Sequence, residues 1–134
     1  MTVRFLLDTN AVSYLVARRL PAAEARIAAL HPDQLLVSAV TYGEIWFGLA
    51  RRPSKASVRE AVTNFLREID VLPWTRHTAD IYASVRTDLE RMGKPLGALD
   101  MLIAAHALEA GATLVSSDRA FAHVPGLTVE DWTA

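Results

Sequence analysis

Four acids stand among neighbours that give them no obvious reason to be charged: Asp8, Glu44, Asp100 and Asp118. Asp8 ends the apolar run Val3-Arg4-Phe5-Leu6-Leu7, and Asp118 follows Ala112-Thr113-Leu114-Val115-Ser116-Ser117. Glu44 is flanked by Tyr42, Ile45, Trp46 and Phe47, and Asp100 by Leu99, Met101, Leu102 and Ile103. Each has an ordinary structural role open to it: a helix cap for Asp8, a dipole partner for Asp100, a solvated side chain for Glu44. Together they offer another chemistry. Carboxylates that converge on one pocket repel and raise one another's pKa, and a divalent cation removes that penalty. Hard oxygen donors suit Mg²⁺ or Mn²⁺. Such an ion can generate hydroxide and stabilise a phosphodiester transition state.

The elements that would bring the acids together follow from periodicity and turn chemistry. Short apolar runs at residues 3–7, 34–38, 69–72, 112–116 and 127–129 read as strands. Helical stretches fall between them at 11–16, 22–30, 40–50, 55–68, 75–92 and 97–110. Thr9 and Asn10 suit the first turn of the first helix, and Pro21 opens the second. Ser54 is a cap for the helix from Lys55, and Gly111 a C-cap for the last long one. Val58, Val62, Phe65, Leu66 and Ile69 follow helical spacing. So do Ala79, Tyr82, Ala83, Val85 and Leu89, expected to face inward. Strands alternating with helices imply an α/β fold, a three-layer α/β/α sandwich around a mostly parallel sheet of about five strands. Asp8 and Asp118 then share the carboxyl edge of that sheet, where open α/β folds bind ligands.

At 134 residues the chain is the size of one domain, and its 51% hydrophobic and 22% charged residues are an ordinary globular balance. The absence of cysteine excludes disulfides, thiolate zinc sites and cysteine nucleophiles, and fits a cytoplasmic setting. No apolar stretch approaches a membrane span, and Asp8 interrupts any signal-peptide core. The net charge of −1 neither supports nor excludes a nucleic-acid partner. His31, His77, His106 and His123 lack metal-ligand spacing, and His106 reads as a core or interface residue. There is no glycine-rich phosphate loop and no GxSxG elbow. Arg18-Arg19 and Arg51-Arg52, with Lys55 and Arg59, are candidates for RNA phosphates or simply helix ends. Trp46, Phe47 and Leu49 fall on successive faces of one helix, so they cannot all enter one core.

The motifs, taken in order, are Leu6-Leu7-Asp8-Thr9-Asn10, Ser38-Ala39-Val40-Thr41-Tyr42-Gly43-Glu44, Gly97-Ala98-Leu99-Asp100-Met101-Leu102-Ile103-Ala104-Ala105 and Leu114-Val115-Ser116-Ser117-Asp118. This set resembles the PIN-domain ribonucleases, and within them the VapC toxins of type II toxin–antitoxin pairs. The resemblance runs to the closing Gly126-Leu127-Thr128-Val129-Glu130-Asp131-Trp132-Thr133, which makes residues 1–134 a single PIN domain. It implies a metal-dependent endoribonuclease in which Asp8, Glu44, Asp100 and Asp118 hold Mg²⁺ or Mn²⁺. Asn10 and Ser116 would support them. It implies a VapB-type antitoxin lying in a groove near Trp46, Phe47 and Leu49 and delivering an arginine to the acids. It implies a homodimer too, with a heterotetramer or larger assembly once antitoxin is bound, and no direct DNA binding by this chain. The substrate so implied is a tRNA, with initiator tRNA suggested by the ending, and its cleavage inhibits translation. Leu99 departs from the pattern, since some relatives carry Asn there. Two alternatives remain: a phosphatase with Asp8 as nucleophile, for which Asn10 stands where a second acid is wanted, and a catalytically silent interaction module.

Overall fold

The computed structural model describes residues 2–52 and 55–133. In chain order the elements are β1 (Phe5–Leu7), α1 (Thr9–Ala17), α2 (Pro21–Ala28), β2 (Leu35–Ser38), α3 (Ala39–Arg51), α4 (Ala56–Arg67), β3 (Asp70–Leu72), α5 (Arg76–Met92), α6 (Ala98–Ala110), β4 (Thr113–Val115) and β5 (Val129–Glu130). Single 3₁₀ turns lie at Pro32–Gln34 and Arg119–His123.

Successive side chains of a strand face opposite sides, and β1 shows the consequence. Phe5 and Leu7 enter one core with Val12, Leu15, Val62, Leu66 and Trp132; Leu6 enters the other with Val85, Leu89, Ile103 and Phe121. Both faces of the sheet are therefore covered, which is why β1, β2 and β4 read as unbroken apolar runs. The strands lie in the order β3-β2-β1-β4-β5, and every neighbouring pair is parallel. The chain steps from β1 outward to β2 and β3, then returns to lay β4 on the other side of β1. That reversal is a topological switch point at the β1–β4 boundary, where a crevice opens beyond the carboxyl ends of the strands.

Local details differ from the expectations in places. Thr9 and Asn10 open α1 as expected, and the cap is Asp8, whose side chain accepts from the Ala11 N–H. The Ser54 cap expected for α4 lies outside the described residues. Val58 is exposed in the first turn of α4, at the mouth of a cavity, so it is not core. In α5 the buried stripe is Thr78, Val85 and Leu89, and Ala83 faces solvent. Two residues before Val85 is roughly 200° round the helix, on the opposite side.

Candidate active site

Asp8 leaves the end of β1 and turns into α1. Its side chain is 7% exposed, and its Oδ1 accepts the Ala11 N–H at 2.8 Å. Its backbone N–H donates to the Val115 carbonyl at 3.2 Å, which ties it to the end of β4 across the switch point. Burial pushes its carboxyl above the ordinary 3.8, and the charges of Asp118 and Asp131 push the same way. Hydrogen bonds from Ser116 and from the Ala11 N–H oppose that rise.

Ser116 joins the two strands. It is buried just past β4, and its hydroxyl donates to Asp8 while accepting the Asp118 N–H at 3.0 Å. Asp118 is exposed and caps the following 3₁₀ turn, its Oδ1 accepting the Ala120 N–H at 2.9 Å. Asp100 reaches the same place from the first turn of α6. It is half-buried, and its carboxyl is raised by burial and then by the charges of Asp118 and Asp8. A helix N-terminus favours an anion here, and Gly97 has no side chain to compete for the position. A Cβ on Gly97 would come within 3.3 Å of Asp100 Oδ2, so this glycine leaves room for the carboxylate.

The structure thus brings Asp8, Asp100 and Asp118 into one electrostatic cluster. Glu44 is half-buried in α3, on the wall of a cavity of about 580 Å³ that Thr9, Ser13, Leu49 and Val62 also line. Among the described residues no three acids or histidines are gathered closely enough to hold an ion as they stand. The donor set nevertheless suits a hard divalent cation. Two of its carboxylates are raised by burial and mutual repulsion, and a cation would relieve both. Asn10 is exposed in the first turn of α1.

Two groups at this edge escaped the reading of the sequence. Asp131 adds its negative charge to Asp8 and Tyr14, and bonds from Thr133 hold its own carboxyl below the ordinary range. It directly follows β5, so the signal that marked Asp118, an acid just past a parallel strand, marks it as well. Its segment is anchored: Arg26 pairs with Glu130 at 2.9 Å and lies over the rings of Phe5 and Trp132 at 5.3 and 5.8 Å. The Tyr14 phenol is pushed up to about 12 by burial and then by Asp8 and Asp131. Among the described residues its hydroxyl has no hydrogen-bond partner.

Of the basic candidates, Arg19 lines the same cavity as Glu44 and Thr9. Arg18 and Arg19 follow the far end of α1, Arg18 in the left-handed conformation at φ 52°. That is about 15 Å of helix from Asp8. The Arg51 guanidinium covers the Phe47 ring at 5.7 Å, Arg52 caps the end of α3, and Lys55 precedes α4. Of the aromatic set, Phe47 is 57% exposed while Trp46 and Leu49 are half-buried against the first core. Leu49 lines the same cavity as Glu44.

A family model described as "PIN domain" matches residues 5–127. The tRNA(fMet)-specific endonuclease VapC of Shigella flexneri is 30% identical over 132 residues, covering 98% of this chain and 99% of that protein. Ribonuclease VapC2 of Rickettsia felis is 26% identical, covering 96% of this chain and 97% of that one. Among solved structures, VapBC2 of Rickettsia felis bound to a DNA fragment from its promoter superposes with a TM-score of 0.89 at 25% identity. It covers 97% of this chain and 99% of the matched one.

Proposed function

The chain belongs to the PIN-domain family, among the VapC ribonucleases, and from that premise we propose that it is a metal-dependent endoribonuclease, the toxin of a VapBC toxin–antitoxin pair. The observation that carries the reading is the cluster of Asp8, Asp100 and Asp118 at the switch point, held at a cost in repulsion and tied together by Ser116. A fold keeps mutually destabilising carboxylates where function needs them.

Asp8, Asp100 and Asp118 would hold Mg²⁺ or Mn²⁺, with Glu44 the fourth donor and Asn10 a polar neighbour of the first. When bound, the ion supplies an activated water and offsets charge on the phosphodiester. The protein's own part is orientation. Ala11 and Ser116 fix the Asp8 carboxylate from two sides, and Ser116 fixes the backbone that carries Asp118. Half-burial of Asp100 lowers the local dielectric and so strengthens its attraction for a bound cation.

The substrate class is RNA, and the Shigella relative's name points to tRNA, initiator tRNA in particular. The solved VapBC complexes favour a VapB-type antitoxin as partner. It would lie in the cavity between α1, α3 and α4, whose lining runs from Glu44 and Thr9 to Leu49 and Val58. Arg18, Arg19, Arg51, Arg52 and Lys55 are retained as phosphate contacts, and a homodimer as the unit that binds antitoxin. A cytoplasmic setting suits a tRNA substrate, and no helix among the described residues is long and apolar enough to cross a membrane.

The test is cleavage of purified total tRNA by the antitoxin-free protein with Mg²⁺, Mn²⁺ or EDTA, beside Asp8→Asn. Discrete cuts that require both metal and Asp8 are expected. Undiminished cleavage by Asp8→Asn would falsify the reading.

A further inference from the structure

A second buried polar group lies between the helices that carry Glu44 and Asp100, and nothing in the cleavage reading uses it. His106 of α6 is wholly buried. Its Nδ1 is 2.6 Å from Ser38 Oγ and its Nε2 3.0 Å from the Pro73 carbonyl. A carbonyl only accepts, so Nε2 carries a proton and donates; Nδ1 of the neutral ring then accepts from the Ser38 hydroxyl. The same hydroxyl oxygen accepts the Val40 N–H at 3.0 Å, capping α3. Trp74 packs edge-on against the imidazole, ring centroids 5.4 Å apart. Beyond it, Glu109 accepts from Thr78 at 2.8 Å and Thr78 bonds the N–H of Thr75, the cap of α5.

Every polar atom of the imidazole and of Ser38 is thereby paired. In a buried setting an unpaired donor costs more than its bond contributes, so such a chain tolerates one placement of its parts and disfavours others. Those parts are α6, the end of β2 and the start of α3. Asp100 lies six residues before His106 on α6, and Glu44 six residues after Ser38 into α3. Each acid is therefore about 9 Å along a rigid helix from the same bond. We propose that His106 is a positioning residue: through Ser38 it sets the separation of the helices carrying Asp100 and Glu44, and so the metal affinity of the acidic edge. The inference rests on the metal-dependent reading above.

Two amides separate the two halves of the imidazole's role. Asparagine can place an oxygen where Nδ1 accepts from Ser38; glutamine can place an N–H towards Pro73, where Nε2 donates. Calorimetric titration of the metal-free protein with Mn²⁺ should show His106→Gln weakened about tenfold and His106→Asn within about twofold of the parent. Both should melt earlier. At saturating Mn²⁺ the kcat of His106→Gln for tRNA should return towards the parent's, placing the defect in metal binding. Should either variant not fold, Ser38→Ala against Ser38→Thr makes the same comparison, with only the alanine expected to weaken binding. Equal Mn²⁺ affinity across the parent and its variants, with only melting temperatures changed, would reduce His106 to a packing role and leave the nuclease reading intact. A parent that neither binds Mn²⁺ nor needs Asp8 for cleavage would remove that reading, and this inference with it.

Discussion

Two polar clusters occupy neighbouring parts of this fold and obey opposite rules. Where β1 meets β4, Asp8, Asp100, Asp118 and Asp131 add charges of one sign, and burial makes those of Asp8 and Asp100 harder to bear. Where β2 meets β3, Ser38, His106, Pro73, Glu109 and Thr78 pair donor with acceptor and leave nothing of the imidazole unmatched. The first cluster stores repulsion and the second holds still. A site that must accept a cation has to be poor in internal partners, since every satisfied carboxylate is a weaker ligand. It can stay in that state only if adjoining structure is over-determined. The contrast predicts that changes in the first cluster move activity strongly and stability upward, and changes in the second move stability downward.

The largest effect is expected from Asp8→Asn. Cleavage of tRNA should vanish, while the metal-free protein should melt at a higher temperature than the parent, because asparagine still caps α1 and no longer repels Asp118. A lower melting temperature by calorimetry would break the comparison at its centre. Ser116→Ala comes next: it unties Asp8 from Asp118 and should cost about 10–100-fold in Mn²⁺ affinity or cleavage rate, the range for residues that orient ligands. Unchanged titration curves would mean that the aspartates hold their places without it.

The repulsion also has a pH signature. Asp100 is raised above its ordinary 3.8, so the folded state binds its proton more tightly than the unfolded chain does. Its contribution to stability is fully present below pH 3.8 and is lost as pH rises through the folded value. The advantage of Asp100→Asn over the metal-free parent should therefore be full at neutral pH and fade on acidification. Melting curves of the two proteins across that range test it, and a constant gap would assign the gain to something other than charge. The smallest effect is expected in the second cluster. Thr78→Val deletes the bonds to Glu109 and the Thr75 N–H, which should cost about 1–3 kcal/mol. Mn²⁺ affinity should stay at the parent value, since Thr78 lies beyond the imidazole from Ser38.

Much of this was legible in local patterns. Apolar runs, Pro21 and Gly111 marked the strands and the helix ends, since those signals depend on near neighbours in the chain. The acids past β1 and β4 could be assigned to one edge because right-handed crossovers send parallel strands the same way. Ala83 departs from the expected stripe of α5 and faces solvent, since its small side chain gives a periodicity argument little to work with. Asp131, directly after β5, carries the same local signal as Asp118, three residues past β4.

By itself, then, the sequence determined the alternation of strands and helices, the layers that alternation requires, and the presence of acids at strand and helix ends. Each of these follows from propensity and spacing within a few residues. Only the tertiary structure decided that β4 lies beside β1, so that Asp118 and Asp8 share a serine hydroxyl, and that Glu44 lines a cavity with Thr9. Only it joined His106 to Ser38, 68 residues away. Such neighbours are chosen when strands pair and layers close, and a pairing across tens of residues leaves no mark on the local periodicity of either partner.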